Sequence, residues 1–361
     1  MAILILVFYS YLLVISLYAV FSAASSLQRY RPERFKIKRK PRALVMVPCK
    51  GIDLTLNQNL RSLKNQTYRN YDLVAIVDDI GDSAVQDIRR AGIKMLLADR
   101  RFNKGSGKVN ALSTAIDKYR HYDIYVIADS DIIAGKDWLE KLVAPFSDRR
   151  VGLSTAFPYF EPVSGFWSKV KMVWGFVGQG MEESNALRFG WGGSLAFPRK
   201  LLDGKSFEFF SGSLSDDIAI TKLVKKRGLR MVYVPDAQPV VKCAETFSTF
   251  WEWANRQTAF AIRGNRNVFW AGILSYALSI LMLLSAIFLT VSYSPAAALL
   301  FIPVILAAHK TSRRMRGKHN EFALLNAIMP FIFLANLVTA KRMRNIEWRG
   351  RSYSLSGMPD S

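Results

Sequence analysis

Apolar and polar positions divide the chain into two kinds of territory. Residues 1–28, 268–308 and 322–340 contain no charged side chain. A membrane-spanning helix needs ~20 consecutive apolar residues. The first stretch therefore predicts one helix. The second predicts two, joined tightly near Tyr293-Ser294-Pro295, and the third predicts one more. Between them, short runs rich in Val, Ile and Leu alternate with amphipathic segments. The runs at 43–47, 73–77, 93–97, 124–128 and 231–234 read as buried strands. The segments at 58–63, 83–91, 108–119, 138–146 and 218–227 read as helices. Strands alternating with helices predict an α/β unit with a mostly parallel sheet covered on both faces.

In such a sheet, ligands bind beyond the carboxyl ends of the strands. The ends here are polar: Lys50, Asp79, and above all Asp129-Ser130-Asp131 after the run Ile124 to Ala128. Two carboxylates spaced i, i+2 at a rigid strand end can form part of a shell for a hard divalent cation, which in turn holds a diphosphate. Loop acids or a helix N-cap are the plainer reading of the same residues. The turn Gly105-Ser106-Gly107-Lys108 faintly resembles a phosphate-binding loop, but Val109 follows the lysine and the glycine spacing is wrong for one. Lys108 at a helix start can meet a phosphate, or be a solvated surface lysine. Gly190 to Phe197 gathers glycines before a strand-like run, permitting close approach of a ligand or backbone. Ser215 reads as an N-cap; capping explains one of the acids Asp216 and Asp217, and does not demand both.

Charge changes the picture of the partners. The 361 residues carry a formal charge of +22, with a pI near 10.0. The basic clusters at 29–42, 310–318 and 341–351 flank the apolar stretches, which suits anionic lipid headgroups and argues against nucleic acid. Residues 1–28 lack the basic leader of a cleaved signal and are too long for one, so a signal anchor is expected. The cluster after it predicts an N-terminus outside and a catalytic region facing the cytoplasm. Both 310–318 and 341–351 call for the cytoplasmic side across one apolar stretch; a re-entrant or in-plane segment near Pro330 reconciles them, as does a span that breaks the rule. Residues 246–263 read as an amphipathic helix at the bilayer surface. Residues 166–181, with Trp167, Trp174, Phe176 and Val177, fit either an interfacial dip or core packing. Cys49 and Cys243 make no disulfide framework, and His121, His309 and His319 lack zinc-ligand spacing.

Taken in order, Val47 to Gly51, Asp78-Asp79, Gly107 to Leu112, Asp129-Ser130-Asp131, Gly192-Gly193-Ser194, Ser215-Asp216-Asp217 and Trp253-Ala254-Asn255-Arg256-Gln257 resemble the motifs of family 2 glycosyltransferases with a GT-A fold. The resemblance is narrower to their membrane-bound ceramide glucosyltransferase-like branch; it covers roughly residues 43–263 and extends into the flanking apolar spans. It implies an inverting transfer of a sugar from a nucleotide donor, a UDP-sugar first, to a hydroxyl of a lipid acceptor. It also implies roles. Pro48 and Lys50 shape the nucleotide pocket, Asp79 contacts the base, and Lys108 lies near the diphosphate. Asp129 and Asp131 hold the donor through Mg2+ or Mn2+. Gly192, Gly193, Ser194 and Asp216 lie on the acceptor side, Asp217 is the general base, and Arg256 faces the leaving group. Where the family has Gln or Arg this chain has Trp253, and where it has Trp this chain has Gln257. The expected organisation is an anchor at 1–28, a basic linker at 29–42, the GT-A domain at 43–245, an interfacial helix at 246–267 and a membrane region with a basic tail at 268–361. Rival expectations are a polyprenyl-phosphate sugar transferase, a processive polysaccharide synthase and a non-catalytic membrane scaffold of the same fold.

Overall fold

The computed structural model describes residues 2–37, 40–316 and 325–355. Lys38, Arg39, His319, the start of the 322–340 stretch and the end of the tail lie outside the described residues. In chain order the elements begin with α1 (Ala2–Leu27), β1 (Ala43–Cys49), α2 (Leu56–Lys64), β2 (Tyr71–Val77), α3 (Ala84–Arg90) and β3 (Lys94–Leu97). There follow α4 (Gly107–Lys118), β4 (Ile124–Ala128), β5 (Ile132–Ile133), α5 (Trp138–Val143), β6 (Val151–Thr155), β7 (Tyr159–Ser164) and α6 (Phe166–Glu183). Next come β8 (Ser194–Pro198), α7 (Lys205–Ser211), α8 (Asp216–Lys226), β9 (Arg230–Tyr233), β10 (Val240–Ala244) and α9 (Phe247–Gly264). The chain closes with α10 (Arg266–Ser292), α11 (Ile302–Arg314), α12 (Met329–Arg342) and the hairpin β11 (Asn345–Trp348) and β12 (Arg351–Ser354).

The main sheet has seven strands in the order β3-β2-β1-β4-β8-β6-β9. The half from β3 to β4 is parallel, whereas β8 runs antiparallel to both β4 and β6. Both faces are buried. Val45 and Val47 point into one hydrophobic cluster, Leu44 and Met46 into the other, so the period-two pattern of β1 serves two cores at once. A second sheet, β5-β10-β7, flanks the first. The strand orientation positions the site: β1, β2 and β4 end at the edge where β8 begins, with Ala128 opposite Ser194.

Helix α6 backs this edge and crosses close to β7. A Cβ on Gly178 would meet the Phe157 ring at 2.3 Å. Gly178→Ala gains about 0.5–1 kcal/mol of helix propensity but overpacks at a cost of about 1–3 kcal/mol. A lower unfolding temperature in detergent is expected; a rise would show that the ring has room to move.

Three helical spans, Ile3–Leu27, Arg266–Ser292 and Pro295–Arg314, are long and apolar enough to cross a membrane. They touch through polar groups as well as apolar ones: the Tyr18 hydroxyl lies 2.6 Å from Ser279 Oγ, and Tyr11 Oη 2.5 Å from Ser285 Oγ. The third uncharged stretch differs. Its helix α12 has 14 residues, about 21 Å at 1.5 Å per residue, against a hydrocarbon core of ~30 Å. It packs on α9 and α10 instead, where buried Asn336 donates to Asn255 Oδ1 at 3.0 Å and accepts from Trp174 Nε1 at 3.1 Å.

Candidate active site

The strand ends open into a cavity of about 960 Å³. One end is acidic. Asn59, buried in α2, donates to Ser130 O at 2.8 Å and fixes the loop after β4. Ser130 donates in turn to Asp53 Oδ2 at 2.5 Å, leaving Asp129 and Asp131 to face the cavity. Asp131 Oδ1 is sealed from solvent and has no hydrogen-bond partner among the described residues. Burial raises the Asp131 pKa, and the neighbouring Asp129 and Asp53 raise it further. An orphaned oxygen beside a second carboxylate fits a hard cation. Among the described residues no cluster of three or more His, Cys, Asp or Glu side chains could hold a metal. A cation here would draw its remaining ligands from water and a substrate phosphate, the usual arrangement for Mg2+.

Lys108 is not at the surface. Its ammonium lies 2.7 Å from Asp129 and 3.2 Å from Asp216, and donates to Gly192 O at 3.1 Å. Burial disfavours its charge, but Asp129, Asp216 and Asp217 more than offset this and its pKa is raised. Lys108 is thus a strut joining the loop after β4 to the start of α8. Asp216 is buried and its pKa is pushed up to about 7, mainly by desolvation, with Lys108 opposing. A Cβ on Gly192 would sit 2.6 Å from Asp216 Oδ2 and 3.0 Å from Lys108 Nζ, so the strut requires glycine there.

Asp217, in the first turn of α8, also lines the cavity. Its Oδ1 accepts from Ile218 N at 2.7 Å and from the Ser215 hydroxyl; its Oδ2 accepts from Gly192 N at 3.3 Å. Ser215 is the N-cap, as expected from sequence. Pro48, Lys50 and Gly193 line the cavity too, and Lys50 lies 3.6 Å from Asp78. Two expected site residues are not brought there. Asp79 is exposed and caps its own turn by accepting from Gly81 N at 2.7 Å, while its neighbour Asp78 faces the cavity. Ser194 is fully buried and accepts from Trp138 Nε1 at 2.8 Å.

Helix α9 forms the opposite wall. The Trp253 ring packs on Trp174 at 4.8 Å and Phe160 at 5.1 Å, with the Lys171 ammonium 4.4 Å from its centre. Residues 166–181 are therefore core and cavity wall in one helix: Val170, Met172 and Val173 are buried, and Trp174 and Val177 line the cavity. Arg256 is nearly buried, 3.5 Å from Glu252, with its guanidinium 5.9 Å from the centre of the Trp348 ring. Tryptophan is missing beside Arg256 in sequence, and one from the distant hairpin stands there in space. Beyond Arg256 the cavity turns apolar and reaches Gly272 and Tyr276 of α10 and Phe333 and Leu337 of α12.

Sequence reading missed the hairpin. Arg349 lies 2.5 Å from Asp53 and donates to Lys50 O at 3.0 Å; Arg351 lies 3.0 Å from Asp78. These are the arginines whose position beside an apolar stretch suggested lipid headgroups. A two-residue Arg349-Gly350 turn between alternating segments was the available signal.

The comparisons with known proteins agree with this geometry. An N-acetylglucosaminyltransferase of Bradyrhizobium diazoefficiens is 30% identical over 216 residues, 55% of this chain and 44% of that protein, so the chain spans less than half the length of this relative. A mannosyltransferase from Pyrobaculum calidifontis, solved with GDP-Man and Mn2+, superposes over 94% of this chain and 97% of its own, with a TM-score of 0.55 and 18% identity; the likeness shows a shared GT-A fold. The model of glycosyl transferase family 21 matches residues 5–359, and the chain belongs to that family.

Proposed function

We propose that this protein is a membrane-bound, inverting glycosyltransferase that moves a sugar from a nucleoside-diphosphate donor to a hydroxyl of a lipid acceptor. The cavity carries the reading. It runs without a break from Asp129, Asp131 and Asp217 to Gly272 and Tyr276 on a helix long enough to span a bilayer. A soluble sugar donor needs the acidic end; only an acceptor with an apolar body needs the other.

Residues 43–245 form the GT-A domain that carries the donor site and the base, and α9 adds Arg256. Pro48, Lys50 and Asp78 flank the nucleoside, and Asp129 and Asp131 hold the diphosphate through Mn2+ or Mg2+, which, when bound, neutralises its charge. The Mn2+ in the Pyrobaculum mannosyltransferase supports that choice. Asp217 accepts the proton of the acceptor hydroxyl as its oxygen attacks the anomeric carbon. The bond from that carbon to the diphosphate oxygen breaks on the opposite face, which inverts the centre. Arg256 meets the charge that develops on the leaving group. Lys108 lies beside the diphosphate and keeps Asp129 and Asp216 in register.

Three spans reconcile the basic clusters. With α1 running inward, α10 outward and α11 back, residues 29–42, 310–316, α12 and the hairpin all face the cytoplasm. Because α12 is too short to cross, the positive-inside rule holds at both of its flanks. A second acceptor class, a polyprenyl phosphate, is favoured by Lys222 and Lys225 at the cavity wall.

Detergent-purified protein, given a panel of nucleotide sugars with Mn2+ or Mg2+ and total membrane lipid, tests the reading. Lipid-dependent release of nucleoside diphosphate, lost on chelation, is expected. Alkali-stable, phosphate-free product separates a hydroxyl acceptor from a phosphate one. No release with any donor and no nucleoside diphosphate binding would leave the non-catalytic scaffold.

A further inference from the structure

The hairpin β11–β12 is held to the rest of the protein from two sides. Ile346 and Leu355 join the cluster of Ala259, Ile262 and Leu337 on α9 and α12. On the other side it makes polar contacts at the donor end of the cavity. Gly107 N, at the start of α4, donates to the Tyr353 hydroxyl at 3.1 Å. Arg351 pairs with Asp78, and Arg349 with Asp53. Asp53 also accepts from Ser130, the residue between Asp129 and Asp131, so two contacts connect the Arg349 guanidinium to the centre of that motif.

The turn that carries Arg349 is unusual. Arg349 has φ +51° and Gly350 φ +73°, and Arg349 is the sole non-glycine residue with positive φ among the described residues. Two positive values make the tight I′-type turn of a two-residue hairpin. A left-handed arginine carries a conformational cost, and asparagine or glycine would suit the turn better. Burial disfavours the charge on Arg349, but Asp53, Asp131 and Asp129 raise its pKa above that of an ordinary arginine. A strained, solvent-accessible arginine that lines the cavity beside Asp53 is placed to meet an anion entering there.

We infer that the C-terminal hairpin is a wall of the donor site and that Arg349 is a diphosphate-binding residue, held by Asp53 until the donor arrives. On binding, the guanidinium exchanges the Asp53 carboxylate for the oxygens of the diphosphate, a planar two-pronged contact that arginine makes better than lysine. Arg351 and Tyr353 are positioning residues: they dock the hairpin on Asp78 and on the α4 N-terminus. Trp348 then closes over Arg256, so one short segment brings both arginines to the leaving group. The inference rests on the glycosyltransferase reading of the same cavity.

The test is nucleotide binding by the full-length protein in detergent with Mn2+, using UDP and GDP against UMP and GMP. Arg349→Asn suits the left-handed turn and is expected to weaken the diphosphate by about 10- to 100-fold, the loss of a charge-assisted contact. The monophosphates should change far less, and the unfolding temperature without nucleotide should be retained. Arg349→Lys should recover part of the diphosphate affinity. Arg351→Gln, acting through docking, should weaken both nucleotide classes. Equal diphosphate affinity in wild type and Arg349→Asn would overturn the inference while leaving the glycosyltransferase reading intact. A parallel loss for mono- and diphosphates in Arg349→Asn would also overturn it, assigning the residue to the fold. Failure of the wild type to bind these four or any other nucleoside mono- or diphosphate would remove the reading and the inference together.

Discussion

Asp217→Asn is expected to lower kcat by roughly 10²- to 10⁴-fold, the range for loss of a positioned general base. Donor affinity should stay near that of the wild type. The reason lies in what surrounds the carboxylate. Ile218 N and the Ser215 hydroxyl both donate to Oδ1, and an asparagine carbonyl in the same place still accepts them, though without the charge of the carboxylate. Gly192 N donates to Oδ2; an asparagine NH₂ there would face another donor, so a local shift of the Gly192 loop is expected. The helix start therefore survives while the proton acceptor is lost. Asp217→Glu offers the complementary check, because it keeps the charge and displaces it by one methylene. A misplacement near 1 Å can cost ~10²-fold, so glutamate should restore little. Single-turnover transfer with saturating donor and lipid measures both. Wild-type turnover by Asp217→Asn would mean that another group takes the proton, and Asp216 would be examined next, because burial already lifts its pKa to about 7.

Much of this site is legible in the sequence, for a physical reason. A strand buried on both faces must be almost wholly apolar, so the first acid after Ile124 to Ala128 marks the point where the chain leaves the sheet. The same logic finds Lys50 and the pair Asp78-Asp79, and the helix cap finds Ser215 ahead of Asp216 and Asp217. It cannot tell Asp78 from Asp79, because side chains alternate about a strand end and one residue of register decides which faces the cavity. Nor can it see that Lys108 is a buried strut. Its partners Asp129 and Asp216 are distant in sequence, and a lysine at a helix start looks solvated until they close on it. Ser194 illustrates the opposite error: a polar residue next to glycines suggests a ligand, whereas its hydroxyl satisfies the buried Trp138 indole. The hairpin is the largest omission. Arg349 meets Lys50 and Asp53 across almost the whole length of the chain, and charge beside an apolar stretch has a simpler explanation in lipid headgroups. The three helices long and apolar enough to cross a membrane were legible because composition alone defines them; for the third uncharged stretch the sequence left a span and an in-plane segment open, and the short helix α12 forms where Asn336 finds partners in Asn255 and Trp174.

Arg256 carries the second large effect. Arg256→Gln is expected to lower kcat by about 10²- to 10³-fold, comparable to removing one preorganised donor from a developing anion. Burial lowers the pKa of Arg256, and Glu252 only partly opposes this; even so, an arginine stays charged where a lysine would readily lose its proton. Arg256→Lys should therefore recover only a fraction of the activity, and that fraction should shrink as pH rises and the buried ammonium loses its proton. The split between kinetic constants distinguishes a role in the reaction from one in the fold. A group that meets charge appearing only as the bond breaks lowers kcat and kcat/KM together, whereas one that merely holds the ground-state donor raises KM alone. The neighbouring ring gives a further handle. Trp348→Ala leaves the Arg256 charge in place and removes the surface beside it, so it should lower kcat in the same sense but by less than Arg256→Gln. If Arg256→Gln changes KM alone, the arginine serves donor binding, and the charge on the departing diphosphate must be met by the cation and the hairpin instead.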